Sequence, residues 1–141
     1  MNRSYKFRAW DEETNEMVYW DESLEKHDRE ILIRSSEILC NIYNAGPGPD
    51  YLSETHPAIL EQFTGLKDKN GVEIYEGDKV KGMWLANRKK KRTGTVKYYD
   101  EYGLWAVEVK SCGMCTMTTV VWESCEVIGN IHETPADGRT N

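Results

Sequence analysis

Long hydrophobic runs are missing from this sequence. No apolar stretch approaches the roughly 20 residues that cross a bilayer, and the opening Met1-Asn2-Arg3-Ser4-Tyr5-Lys6 lacks the apolar centre of a signal peptide. The expectation is a cytoplasmic protein with no membrane partner. An excess of basic charge is missing too: 18 basic residues stand against 24 acidic ones, a net charge of −6, which excludes a surface basic throughout. Cysteine is sparse, and Cys40, Cys112, Cys115 and Cys125 are unevenly placed, so they read as reduced thiols and not as a secreted disulfide framework. Catalytic motifs are absent as well, with no nucleophile elbow, phosphate-cradling glycine loop or metal-binding helix motif. The prolines of Gly46-Pro47-Gly48-Pro49 lack the N–H groups that would hold a phosphate. His27, His56 and His132 are scattered, His56 falls in an expected loop before Pro57, and Asp11-Glu12-Glu13 reads as a solvated turn. These features predict a protein that is not an enzyme and needs no cofactor.

What is present is a succession of short β-prone runs. At 141 residues the chain fits a single domain able to bury a core without staples. Lys6 to Trp10 and Met17 to Trp20, separated by a polar turn, predict a hairpin over residues 1–20, with Lys6, Arg8 and Trp10 on one side and Phe7 and Ala9 on the other. Residues 21–57 read as an irregular or partly helical connector. Within it, Ile38, Leu39, Ile42 and Tyr43 fit one face of a short helix begun near Ser35 or Ser36, whereas Ile31-Leu32-Ile33 looks like a strand. In the stretch Phe63 to Val80, Asn70-Gly71 can fill the centre of a type I′ turn and Glu76-Gly77-Asp78 a second reversal. Beyond them, Lys79–Trp84, Thr93–Tyr99, Leu104–Val109, Thr116–Trp122 and Glu126–Ile131 are short strands with turns between, the pattern of a small barrel over 58–133. Residues 134–141 read as a flexible tail.

Three blocks carry a resemblance. Lys6-Phe7-Arg8-Ala9-Trp10-Asp11, then Phe63 to Gly71 with Glu73 to Asp78, and finally Val127-Ile128-Gly129-Asn130-Ile131-His132-Glu133 together resemble the YopX family of phage and prophage proteins. The resemblance implies a mainly β fold with an SH3-like barrel, self-association as a homo-oligomer, and residence in a bacterial host cell. It implies no established activity. The turn positions Gly65, Asn70, Gly71, Gly77, Asp78 and Gly129 look architectural, so they specify shape and leave chemistry open.

Two motifs remain as candidate sites. Cys112-Gly113-Met114-Cys115 has the spacing of a zinc knuckle, with Cys125, Cys40 or His132 to complete it, yet no second knuckle exists. If Cys125 to His132 is a regular strand, Cys125 shares a face with Val127 and Ile131 while His132 lies opposite, so the set fails to converge and no metal is expected. The second motif is the basic run Arg88, Lys89, Lys90, Lys91 and Arg92, placed where a hairpin tip should project. Removing its five from the 18 basic residues leaves 13 against 24 acids, a balance of −11, so a polyanion would approach the tip and no other part. Trp84 and Tyr98, with Tyr99, Tyr102 and Trp105, could stack on bases. The leading expectation is a self-associating, non-catalytic module that binds a host or phage protein; the alternative is a nucleic-acid binder that uses this hairpin.

Overall fold

A computed structural model describes residues 5–20, 29–34, 37–43, 53–84, 87–109 and 120–133. The described chain is mainly β, with antiparallel pairing throughout and no helix among the described residues. It divides into two compact units, one spanning Lys6–Gln62 and the other made of Met1–Tyr5 and Phe63–Asn141.

The first unit holds the path β2-β1-β5-β4-β3 of a six-stranded sheet, whose sixth strand pairs with the later part of β5. Its strands are β1 (Phe7–Asp11), β2 (Glu16–Tyr19), β3 (Arg29–Arg34), β4 (Glu37–Tyr43) and the first part of β5 (Ser53–Lys67). The N-terminal hairpin forms as its alternation predicts. The expected helix does not: Ile38, Leu39, Ile42 and Tyr43 belong to β4, which pairs with β3 on one side and β5 on the other. Pairing on both sides outweighs a four-residue helical spacing, and β-branched Ile31, Ile33, Ile38 and Ile42 suit a pleated surface. Ala9, Val18, Ile31 and Cys40 form the core, with Ile38, Ala58 and Leu60 against it. All seven lie on one face, since Ala9 opposes Val18 and Leu60, and Ile31 opposes Cys40.

In the second unit the end of β5 pairs with β6 (Glu73–Tyr75). A four-stranded sheet follows in the order β10-β7-β8-β9, made of β7 (Asp78–Trp84), β8 (Asn87–Tyr99), β9 (Leu104–Glu108) and β10 (Val120–Asn130). The expected barrel is not closed. Closure would need β9 and β10, the two ends of that order, to pair with each other, and the described strands show no such pairing. The runs expected at 116–122 and 126–131 merge, from Val120 on, into β10, which keeps its partner β7 through register shifts between Val121 and Glu126 and between Val127 and Gly129. The second shift also breaks the regular alternation assumed for Cys125 to His132: Asn130 is buried, while Ile131 lies outside the strand and is exposed.

Ile74, Val80, Val96, Val107, Val109 and Cys125 build the core of this unit, with Leu66, Trp105 and Val127 packed on it. Gly94 is what lets the sheet close up on this face. A Cβ at Gly94 would lie 2.7 Å from the Glu108 carbonyl oxygen and 3.0 Å from the Val109 side chain. Gly94→Ala is therefore expected to destabilise the fold by about 1–3 kcal/mol through overpacking, measurable by urea denaturation. An unchanged midpoint would mean that β9 can shift away without loss.

Candidate functional site

Buried aspartates organise the turns. In the β5–β6 hairpin, one Asp68 carboxylate oxygen accepts the N–H groups of Asn70 (2.8 Å) and Val72 (2.9 Å), and the other accepts that of Val127 (3.0 Å) on β10. Burial pushes the Asp68 carboxyl up, but the Val127, Val72 and Asn70 donors, helped by Lys69, hold it below the usual carboxylate range. The chain reverses where Asn70-Gly71 predicts, with a different geometry. Asn70 keeps a negative φ and Gly71 alone takes the positive one (82°). Gly71 N–H closes on the Asp68 carbonyl at 3.0 Å, and Asp68 N–H on that of Val72 at 2.8 Å. The side-chain bonds of Asp68 favour this wider turn over type I′. At the second reversal Asp78 accepts the Tyr75 N–H at 2.8 Å and Gly77 has φ 82°. Gly65 and Gly129 likewise have positive φ, each next to a register shift.

The acidic cluster near the N-terminus is only partly the solvated turn expected. Asp11 is fully buried as the last residue of β1, and His56, expected in a loop, lies within β5 and is 6% exposed. Pro57 is tolerated there because it falls just beyond the last pair with β1, Asp11↔Ala58, and only its carbonyl is used, by Glu12 N–H at 3.2 Å. His56 Nδ1 lies 3.0 Å from one Asp11 oxygen, and the other oxygen accepts the Glu13 and Thr14 N–H groups at 3.0 and 3.1 Å. Burial raises the Asp11 carboxyl, and the His56, Thr14 and Glu13 bonds more than offset this, leaving it below its ordinary value. His56 Nε2 is 3.5 Å from a Glu13 carboxylate oxygen, so both ring nitrogens face carboxylates. On the opposite face of the same strands, Arg8 (4% exposed) and Glu61 (2%) form a buried ion pair at 2.7 Å across the Arg8↔Glu61 register.

Of the cysteine set, Cys112 and Cys115 lie outside the described residues. Cys125 points into the core, where a Cβ on Gly82 would come within 2.5 Å of its Sγ. Burial, then the charges of Asp68 and Glu123, push its thiol up to about 11, opposite to what a thiolate ligand requires. Among the described residues no three His, Cys, Asp or Glu side chains converge as a metal site. His27 also lies outside those residues, and His132 sits just past β10, where its N–H bonds the Asn130 side chain at 2.9 Å.

The basic run lies within β8, just after the turn that joins it to β7. Asn87 already belongs to β8, and pairing jumps from Trp84↔Asn87 to Met83↔Lys91, so Arg88, Lys89 and Lys90 form a bulge in a strand. Lys91 is exposed and Arg92 half-buried. Farther along β8, Tyr98 meets Trp105 edge-on across β9, ring centroids 5.0 Å apart. Tyr98 stays 44% exposed and Tyr102, in the β8–β9 turn, 60%.

Register brings together residues that the sequence reading did not group. Lys79 and Lys81 oppose Thr95 and Thr93, and Met83 opposes Lys91, so these residues share the face that also carries Lys97 and Tyr99. The available signal was their alternation with Val80 and Val96, which point into the core.

Three comparisons place these features. The family described as YopX protein matches residues 6–136. The crystal structure of protein EF1440 from Enterococcus faecalis is similar at 29% identity and a TM-score of 0.52, covering 98% of this chain and all of that one. The crystal structure of protein yopX from Bacillus subtilis shares the fold at 19% identity and a TM-score of 0.58, covering 96% of this chain and 97% of that one. No curated protein matches the chain.

Proposed function

The chain belongs to the YopX family, and with that as premise we propose that it is a non-catalytic binding module of phage or prophage origin that self-associates and engages a host or phage protein. The β8–β9 hairpin carries the reading. Among the described strands β9 ends the order of its sheet, and its outer backbone edge is there a template for another strand. One strand in from that edge Tyr98 is 44% exposed, and Tyr102 is 60% exposed in the β8–β9 turn; tyrosine is among the side chains most often found as interface anchors. A second copy set antiparallel along β9 would place the same residues on both sides, as a two-fold contact requires. Burial supports the non-catalytic part: His56 is 6% exposed and Cys125 fully buried, so neither side chain is open to a substrate.

Sedimentation velocity over rising protein concentration tests this. The sedimentation coefficient is expected to climb toward that of a dimer, and the Tyr98→Ser/Tyr102→Ser variant to remain a monomer at the same concentrations. A strict monomer at the highest concentration overturns the reading, as does a variant that associates as well as the parent.

A further inference from the structure

We infer that the outward face of the β10-β7-β8-β9 sheet is a docking face for single-stranded nucleic acid. Along a strand, residues two apart stand about 6.6–6.8 Å from each other on one face. Lys79 and Lys81 occupy two such positions on β7, while Lys91, Thr93, Thr95 and Lys97 occupy four in succession on β8. Lys81, Lys91, Thr93 and Lys97 are exposed, and Lys79 and Thr95 half-buried, so the row is open to a ligand. Two acids share the face: Glu126 opposes Lys81 and bonds Lys69 at 3.0 Å, and Glu108 opposes Thr95 and pairs with Lys97. Four lysines less two glutamates leave the face at +2 in a chain of −6, so the rest of the molecule carries −8.

That separation of charge selects the ligand. A polyanion is favoured on this face over a remainder of net negative charge, with the threonine hydroxyls available to phosphate oxygens. Tyr99, half-buried, lies on the same face two residues past Lys97. Its ring can stack on an unpaired base, which a duplex keeps inside its own stack. The face needs no second copy of the chain, so it stands or falls apart from self-association.

Fluorescence anisotropy with a labelled oligothymidylate at low salt tests the inference. Binding is expected in the weak non-specific range, with Kd about 10⁻⁶–10⁻⁴ M and a log–log salt slope near −2.8 if all four lysines meet phosphates. In Lys79→Gln/Lys81→Gln/Lys97→Gln the slope should shrink by about 2. Acylation footprinting of the unaltered protein is the second measurement, with Lys79, Lys81 and Lys91 expected to be protected by the oligonucleotide. Absence of binding at low salt, tighter binding to a duplex of equal length, or equal acylation with and without oligonucleotide each overturns the proposal. So does a loss confined to Arg88→Gln/Lys89→Gln/Lys90→Gln, which would place the contact on the bulge alone.

Discussion

Arg8→Met is expected to lower the unfolding free energy by about 3–5 kcal/mol, because it removes the guanidinium that lies 2.7 Å from a buried Glu61 carboxylate. Arg8 and Glu61 are 4% and 2% exposed and meet at 2.7 Å, so neither charge has solvent to fall back on. The double change Arg8→Met/Glu61→Leu should recover most of that loss, since an apolar pair of similar volume needs no compensating charge. Chemical denaturation of the two single variants and the double variant provides a complete cycle. Single losses under about 1 kcal/mol would place the pair with solvent-exposed ion pairs, contrary to its burial.

Asp68→Ala should destabilise by about 2–4 kcal/mol. Three backbone N–H groups lose their acceptor, and while those of exposed Asn70 and Val72 can turn to water, that of half-buried Val127 has less recourse. Asp68→Asn separates the contributions, because an amide can still accept from the turn but presents a donor to Val127. The same carboxylate makes stability depend on pH. Its folded pKa is lowered, so the stabilisation is fully present above the unfolded value near 3.8 and is lost as pH falls through the folded one. Parent and Asp68→Asn should therefore differ most at neutral pH and converge in strong acid. A constant difference from pH 7 to pH 2 would contradict the assignment.

Local signals were readable and long-range ones were not. Asn70-Gly71 and Gly77 mark where the chain reverses, since the signal for a turn lies in a few adjacent residues. The kind of reversal was hidden, because Asp68 sets it by reaching two to four residues ahead and also to Val127 on a distant strand. Helical spacing in Ile38 to Tyr43 was misleading for a similar reason: two neighbouring strands decide that segment, and neither is local. Arg8 was correctly set apart from Ala9 by alternation, but alternation does not reveal that both faces of β1 are buried there. The basic run was visible as composition, whereas its placement in a bulge and its alignment with Lys79 and Lys81 depend on the register of β7 and β8. Gly94 gave no sign at all, because its role is set by the nearness of Val107, Glu108 and Val109.

The attachment of β10 to β7 has a consequence for biosynthesis. Val127 N–H donates to the Asp68 carboxylate, 59 positions earlier, and β10 supplies Cys125 to the core. A nascent chain on the ribosome therefore reaches β7, β8 and β9 well before the strand that covers the free side of β7. Translation that stops short of Val120 would release a product with that hydrogen-bonding edge uncovered, ready to join other truncated chains.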